Sequence, residues 1–450
     1  MFVKLKQLKS SVLFIVLVAL AIRLIVVAFL YQGQLNPRRD HWPFGYEAGR
    51  IARSIALGEG FANPLFQKTG PTAWMAPLYP CLVAGVFKLS GIYTATSAVI
   101  LLSLNSLFSA LSCVAIFFMA RESFGSKVAI CAAWAWALFP YAIYLSADWI
   151  WETCLTTLLL SLLVWVTLRL ERLERRALST RLAEWVGFGT LWGITALTNP
   201  AVLALLPFFV GWLCYGLHRR RQGWRLEAGV ALAALLLIVA PWFLRNYRTF
   251  HQFIPFRDNF WLEISTGNRG DTSLQAAHEA HPAQSARAEE EYNRLGELTY
   301  MAERRREATA FIRNNPLWFA GVTFRRTVLA WTGFWSLPAT GRFREPFDPE
   351  EPFDPAHIVF NTTLSILAIV GLFRSLRRHA TTIIPYAAAI TIFPLLYYVS
   401  NVDVRYRHPI DPEIIVLAAY ACVTFRAGMR EAAAQPTAPR VERIPTLSSV

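Results

Sequence analysis

The chain has 450 residues, 55% hydrophobic and only 16% charged, against about a quarter charged in an ordinary soluble domain. Its net charge of +14 raises nucleic acid as a partner, but the Lys and Arg sit in short segments between apolar runs and form no basic groove or known binding motif, so nucleic acid is set aside. The six cysteines, Cys81, Cys113, Cys131, Cys154, Cys214 and Cys422, lie in or beside apolar segments without CxxC spacing, which supports neither a disulfide framework nor a zinc site.

The first apolar run, Ser10 to Tyr31, follows Lys4, Lys6 and Lys9. It is too long for a secretory signal and lacks a small-residue cleavage site, so it is expected to remain as the first span with a cytoplasmic N-terminus. The later apolar runs are also about 20 residues long, enough to cross about 30 Å of hydrocarbon as a helix. In lipid the backbone must satisfy its own hydrogen bonds, so the runs read as helices and the fold class as an all-α polytopic membrane protein. The 16 Trp and 15 Tyr fit interfacial aromatic belts.

A polar stretch, Gln32 to Met75, precedes a short apolar one, Ala76 to Leu89, bounded by Pro77, Pro80 and Gly91. Whether this segment crosses sets the orientation of everything after it. If it crosses, the basic segments Arg169 to Arg181, His218 to Arg225 and Arg374 to His379 all face outside, against the positive-inside rule. If it lies at the membrane surface, spans fall near Ser97–Ala120, Val128–Ala147, Trp149–Leu170, Leu182–Leu197, Ala201–Leu217, Leu226–Leu244, Ile358–Phe373, Thr381–Val399 and Ile414–Phe425. All three basic segments and the C-terminus then face the cytoplasm. We adopt the second reading, with about ten spans.

Leu182 to Leu217 reads as a hairpin that turns at Thr198, Asn199 and Pro200. The hydrophilic region Arg245 to Ala356 is too long for an inert connection. Within it a polar helix is expected over Ala276 to Arg306 and an amphipathic one over Phe311 to Trp335, with Arg325 and Arg326 in its middle. The expected organisation is a membrane module over 1–244 with a first outer loop over 32–95, then an extracytoplasmic region over 245–356. Membrane helices follow over 357–427, and a disordered cytoplasmic tail over 428–450. No internal repeat is visible.

This topology gathers four charged clusters on the non-cytoplasmic face. The first holds Arg38, Arg39, Asp40, His41, Glu47, Arg50 and Arg53, with a helix expected from Tyr46 to Leu57. The second is the turn SADWIWE, with Asp148 and Glu152. The third is RNYRTFHQFIPFRDN, with Arg245, Arg248 and Arg257. The fourth is NVDVRYRHPID, with Asp403, Arg405, Arg407 and His408.

Each cluster also has an ordinary explanation. Arginines beside spans snorkel to headgroups, Asp148 and Glu152 fit a capping pair, and Glu47 fits a solvated pair with Arg50 or Arg53. The RYRH segment is harder to explain that way. It concentrates cations on the face that usually lacks them, and Arg suits bidentate phosphate recognition. Arg23, inside the first span, faces the bundle or snorkels outward. The sequon at Asn361 reads as chance, and no His/Asp/Glu ligand set for a metal appears, so no cofactor is expected.

Taken together, outward-facing arginines and carboxylates suit transfer of a group from a lipid-linked phosphate to a hydroxyl or amine. A carboxylate takes the acceptor proton, and arginines stabilise the charge growing on the leaving phosphate.

The chain resembles the GT-C class of integral membrane glycosyltransferases, which use polyprenyl-phosphate sugars. Within it the likeness is to bacterial protein-O-mannosyltransferase-like proteins and lipid A aminoarabinose transferases. The stretches that carry it are LVALAIRLIVV, GYEAGRIARSIALGEGF, MAPLYPCLVAGVFKLSG, FPYAIYLSADWIWETCL, APWFLRNYRTFHQFIP and VRYRHPIDPEIIVLAA. Ala52 to Gly58 fits the family's A-x-x-L-x-x-G pattern with Ile55 for Leu.

The resemblance implies a GT-C fold with juxtamembrane helices in the first outer loop and a hexosyl or pentosyl transferase of the cytoplasmic (inner) membrane. It implies a polyprenyl-phosphate sugar donor and a lipid, glycan or protein acceptor, with the active site on the periplasmic or extracellular side. The family's first-loop Asp precedes its Tyr, where this chain has Phe44 and Gly45. The base is therefore assigned to Glu47, with Asp40 in reserve. The acid of the second outer loop maps to Glu152, with Asp148 beside it. Arg405 and Arg407 are the phosphate-binding candidates, supported by Arg245 and His408. Tyr46, Arg50 and Tyr79 are expected to position substrate. A cation often found at the position of Asn199 is missing. The rival readings are a flippase or transporter of lipid-linked sugars, which predicts charges deep in several spans or repeats with broken helices, an outer-face oligosaccharide polymerase or ligase, and a non-catalytic scaffold.

Overall fold

The run from Val12 to Leu30 has no glycine, proline or polar residue except Arg23 and forms one helix, α1 (Val12–Leu30). The structure, a computed structural model, describes residues 11–30, 44–172, 177–271, 274–333, 355–378 and 382–434. Among these the regular structure is helical, apart from one isolated bridge between Ala62 and Pro71.

The first outer loop contributes α2 (Glu47–Ala56) and α3 (Leu78–Ser90). At 13 residues α3 is about 20 Å long, too short to cross. Its Tyr79, Val83 and Phe87 are buried in one cluster with Phe44, Ala52 and Leu101, so it lies along the bundle.

Helix α4 (Ala95–Phe124) follows, and then α5 (Ser126–Ala137) and α6 (Pro140–Asp148), which meet at a 44° bend. Pro140 opens α6, and proline cannot continue a helix that precedes it. Next come α7 (Thr153–Arg172), α8 (Leu178–Thr198), a short 3₁₀ turn at Pro200–Leu205, α9 (Leu206–Arg219) and α10 (Arg225–Phe250). Asn199 makes the expected hairpin turn, its side chain capping Ala201 N–H at 3.1 Å. Gly189 lets α8 press on α10: a Cβ there would stand 2.0 Å from the Ala231 carbonyl.

The outer region contains α11 (Phe260–Gly267), α12 (Leu274–Ala280), α13 (Ala286–Leu295), α14 (Glu297–Asn314) and α15 (Pro316–Thr332). The single helix expected over 276–306 is three, because Pro282 falls between α12 and α13 and Gly296, at φ 76°, separates α13 from α14. The last elements are α16 (Pro355–Arg378), α17 (Ile384–Ile392), α18 (Leu395–Val399), α19 (Val404–Arg407) and α20 (Asp411–Ala434). Expected boundaries move as well: α10 runs past residue 244, α20 runs past residue 428, and the helix expected over 311–335 is divided at Asn315, where α14 has ended and Pro316 opens α15.

Six helices among the described residues are long and apolar enough to cross a membrane: most of α1, α4, α7, Pro200–Arg219, α10 and most of α16. The bent α5–α6 pair makes seven. A helix stands at every one of the ten expected positions, but three fall short as continuous apolar spans. In α8, Arg181 and Glu184 lie among small and polar residues. The α17–α18 segment is interrupted at Phe393 and Pro394, and α20 opens on Asp-Pro-Glu.

Arg23 faces the bundle. It is fully buried and gives Nε to Ser109 Oγ at 3.0 Å and one terminal nitrogen to the Ala19 and Ala137 carbonyls at 3.0 and 3.1 Å. The other reaches the Trp136 carbonyl at 3.3 Å. Its charge thus rests at the C-terminus of α5, where the helix dipole is negative, on the Ala137 carbonyl and on a Trp136 carbonyl that also takes the Phe139 N–H at 3.1 Å. Arg23→Met is expected to lower stability by roughly 2 kcal/mol, since each orphaned buried carbonyl costs about 1–3 kcal/mol. Thermal denaturation in detergent measures this.

The helix directions fix the two ends of the bundle. The turn before α7 carries Trp149 to Glu152, while the last turn of α7 holds Arg169 and Arg172, about 30 Å away along the helix. Helix α10 starts at Arg225 and delivers the chain to Arg257, and α16 ends on Arg377 and Arg378. The basic segments therefore share one end, and the acidic turn and Arg257 the other.

Candidate active site

Gly45 and Tyr46, at φ 80° and 40°, form a tight turn that starts α2 at Glu47. A Cβ on Gly45 would stand 2.4 Å from the Ile150 carbonyl, so the first outer loop lies directly against the turn between α6 and α7. That turn is held from behind. Tyr79 OH donates to Asn105 Oδ1 at 3.2 Å, and Asn105 Nδ2 donates to the Trp149 carbonyl at 2.7 Å. Together these contacts bring Glu47 and Glu152 to one cavity. Gly45→Ala meets both the unfavourable φ and the Ile150 carbonyl, and is expected to cost about 1–3 kcal/mol of stability along with activity. Parallel thermal and turnover measurements check this.

The cavity measures about 500 Å³ and is lined by Tyr46, Glu47, Glu152, Arg257, Glu263 and Arg405, with Trp74, Trp149, Trp151 and Tyr397 as aromatic walls. The volume lies within the ~300–1,000 Å³ of small-molecule sites. Glu152 is half-buried, and burial pushes its carboxyl above the ordinary range, while a backbone hydrogen bond and then Arg405 and Arg257 draw it back. Arg405 is caged by aromatic faces, its guanidinium carbon 4.3 Å from the Trp151 ring centre, 4.9 Å from Tyr406 and 5.8 Å from Trp149. One terminal nitrogen donates to Tyr406 OH at 3.0 Å, and Asp403 Oδ2 lies 3.8 Å from Nε. Nε and the other terminal nitrogen are buried and have no hydrogen-bond acceptor among the described residues. A buried guanidinium with open donors is a ready anion site.

The structure thus brings Glu47, Tyr46, Glu152 and Arg405 together and leaves the other expected residues elsewhere. Arg407 gives Nε to Asp411 Oδ1 at 2.9 Å and a terminal nitrogen to the Ala330 carbonyl at 2.9 Å. His408 is fully buried, stacks on Trp136 at 5.1 Å and meets Asp411 Oδ2 at 3.2 Å. Both brace the start of α20. Arg245 clamps the first loop, donating to the Thr72 and Phe61 carbonyls at 2.6 and 2.7 Å. Arg50 packs 3.8 Å over Phe66, and Tyr79 acts only through Asn105. Asp148 takes a hydrogen bond from Tyr144 and does not line the cavity. Asp40 lies outside the described residues. Among the described residues no three His, Cys, Asp or Glu side chains group as a metal site.

Several lining residues were not candidates in the sequence, Glu263 and His278 among them. Arg257 stood in the third basic cluster, but Arg245 was favoured there as nearer the expected end of the span. His281 lines the cavity from the loop after α12 and had no local pattern to mark it. Asn199, where the resemblance implied a cation, lines it too, its amide donating to Tyr397 OH at 3.4 Å.

The outer region docks on the first loop through carboxylates. Glu297 accepts the Ala73 N–H at 2.6 Å and Tyr292 OH at 2.5 Å, and Glu289 accepts the Gln67 N–H at 2.6 Å. Asp258, whose N–H donates to the Ala73 carbonyl at 3.1 Å, has its buried carboxyl beside Glu297. Burial, then the Glu297 charge and a hydrogen bond to it, hold the Asp258 carboxyl well above its ordinary value. The folded state therefore keeps a proton that the unfolded chain releases near pH 4. This contribution is complete below that pH and is lost as pH rises through the raised folded value. The thermal midpoint of the wild type, measured relative to Asp258→Asn, is expected to fall as pH is raised from about 4.

No protein-family model matches the chain, and no curated protein matches it by sequence. Solved structures do. The archaeal oligosaccharyltransferase AglB from Archaeoglobus fulgidus, in complex with an inhibitory peptide and a dolichol-phosphate, superposes with a TM-score of 0.53 at 18% identity, over 93% of this chain and 51% of that one. The apo form gives 0.55 at 17% identity, over 94% and 52%. The fold is the GT-C fold. This chain therefore spans about half the length of its AglB neighbours. ArnT from Cupriavidus metallidurans bound to undecaprenyl phosphate is a further GT-C structure, at a TM-score of 0.39 and 14% identity over 94% and 79%. The chain is a multi-pass membrane protein of GT-C architecture, its cavity at the end of the bundle opposite the basic segments.

Proposed function

We propose that this protein is a glycosyltransferase that moves a hexose or pentose from a polyprenyl phosphate to a hydroxyl or amine of a lipid, glycan or protein acceptor. The observation that carries the reading is Arg405, a caged guanidinium with open donors in the wall of a cavity that also holds Glu47 and Glu152. In the reaction Glu47 takes the acceptor proton as the acceptor oxygen or nitrogen bonds to the anomeric carbon. The bond from that carbon to the phosphate oxygen breaks, and polyprenyl phosphate leaves with one more negative charge. Arg405 and Arg257 receive that charge. The aromatic walls suit the faces of a sugar ring. The dolichol-phosphate in the AglB complex supports a lipid-phosphate donor for this fold.

The protein resides in the cytoplasmic membrane with both termini inside and its site outside, supported by the basic segments at the far end of the bundle. Purified full-length protein in nanodiscs, given a panel of undecaprenyl-phosphate hexoses and pentoses with lipid, glycan and peptide acceptors, is expected to release undecaprenyl phosphate and form one glycosylated product. Failure to bind undecaprenyl phosphate would end this reading.

A further inference from the structure

His281 reaches over Glu47 from the outer region. Its Nε2 stands 3.8 Å from Glu47 Oε1, and the two side chains are 13% and 11% exposed. Its Nδ1 accepts the Ala283 N–H at 3.2 Å. A nitrogen that accepts a hydrogen bond carries no proton, so the neutral ring bears its proton on Nε2, the atom facing Glu47. His281 is held at both its ring and its backbone. Trp74 meets it edge-on at 5.8 Å, and its own carbonyl accepts the Gln284 and Ser285 N–H groups at 2.9 and 3.0 Å. A closure of roughly 1 Å brings Nε2–H to hydrogen-bond length. Glu47 also has a second acid near it, since Glu152 lies within electrostatic reach. The N–H of His281 offsets that repulsion.

We propose that His281 is a positioning residue that holds the Glu47 side chain aimed into the cavity, so that the base works only while the outer region is docked on the first loop. This rests on the reading of Glu47 as the base. Three elements fix the geometry: the Gly45–Tyr46 turn sets Glu47, the turn after α12 sets His281, and the carboxylate contacts to Ala73 and Gln67 set one against the other. An acceptor that enters between them gives its proton to a carboxylate already oriented.

The test uses the full-length protein in nanodiscs. Nitrogen chemical shifts of histidine-labelled protein are expected to report the Nε2–H form for His281, and Glu47→Gln is expected to move the Nε2 resonance. In turnover of the undecaprenyl-phosphate hexoses and pentoses, His281→Ala and His281→Asn are expected to lose roughly 10-fold in kcat with donor KM within about 2-fold. His281→Gln, whose amide N–H reaches the place of Nε2, is expected to recover most of the rate. An Nδ1–H form, an Nε2 resonance indifferent to Glu47→Gln, or a His281→Gln protein as slow as His281→Ala at an unchanged thermal midpoint would overturn the proposal. Normal turnover by Glu47→Gln would remove the base assignment and this inference with it. Slow turnover by Glu47→Gln beside normal turnover by His281→Ala would remove this inference alone.

Discussion

Arg405→Met is expected to lower kcat/KM for the lipid-linked donor by about 10²–10³-fold, the usual loss when a fixed charge-stabilising donor is taken from an active site. Methionine keeps much of the stem that packs on Trp151 and Tyr406, so the loss reports the guanidinium itself. Arg405→Lys is expected to recover only part of the rate. A lysine carries the charge but lacks the planar fork that could engage a phosphate while still bonding to Tyr406. Undecaprenyl phosphate binding should weaken in both variants, more in Met than in Lys. Equal donor binding in Arg405→Met and wild type would move the phosphate site away from this residue. Arg257→Met is expected to act in the same direction, and the double variant separates a shared phosphate from two independent roles.

The second large effect is expected for Glu47→Gln. A positioned base contributes about 10²–10⁴-fold, and the amide fills the same space without accepting a proton. The loss should fall on kcat and leave donor KM nearly unchanged, because in the proposed reaction the donor phosphate is bound by Arg405 and Arg257 and not by Glu47. Glu152→Gln should behave differently. Glu152 sits among the cations, so its replacement should change donor binding as well as rate. Single-turnover measurements with each variant distinguish the two carboxylates, and a loss in Glu47→Gln that appears only in KM would assign it to substrate binding.

Much of the fold was readable because lipid imposes long apolar helices, and because Pro77, Pro80 and Gly91 marked the segment of α3 as too short to cross. The count of spans was less readable. Apolar composition alone does not reveal that α8 is diluted by Arg181 and Glu184, or that Pro394 interrupts the segment ending at Val399. In the site, Glu47, Glu152 and Arg405 were legible as charges at expected surface turns.

Arg407 was grouped with Arg405 by adjacency, but on the single turn of α19 residues two apart point to nearly opposite sides, and His408 lies beyond α19 in a 3₁₀ turn. Asp411, four residues beyond Arg407 and three beyond His408, was the overlooked signal, since that spacing makes helical neighbours. Arg245 was misplaced because α10 continues to Phe250 and carries it along the helix side, which leaves Arg257 to enter the cavity. His281 could not be found this way. Only the docking of the outer region on Ala73 and Gln67 brings it to Glu47.

The lining of the cavity has a consequence for biogenesis. Its residues come from nearly the whole length of the chain, from Tyr46 on the first loop to Arg405 and Tyr406 just before the last helix. During synthesis a nascent chain inserted as far as α15 already carries Glu47, Glu152 and His281, but it lacks Arg405, the proposed ligand of the donor phosphate. The protein is therefore expected to stay inert on the ribosome until its final helix has entered the membrane. Halves expressed separately and divided anywhere between α2 and α19 should be silent alone and regain activity only when they reassemble.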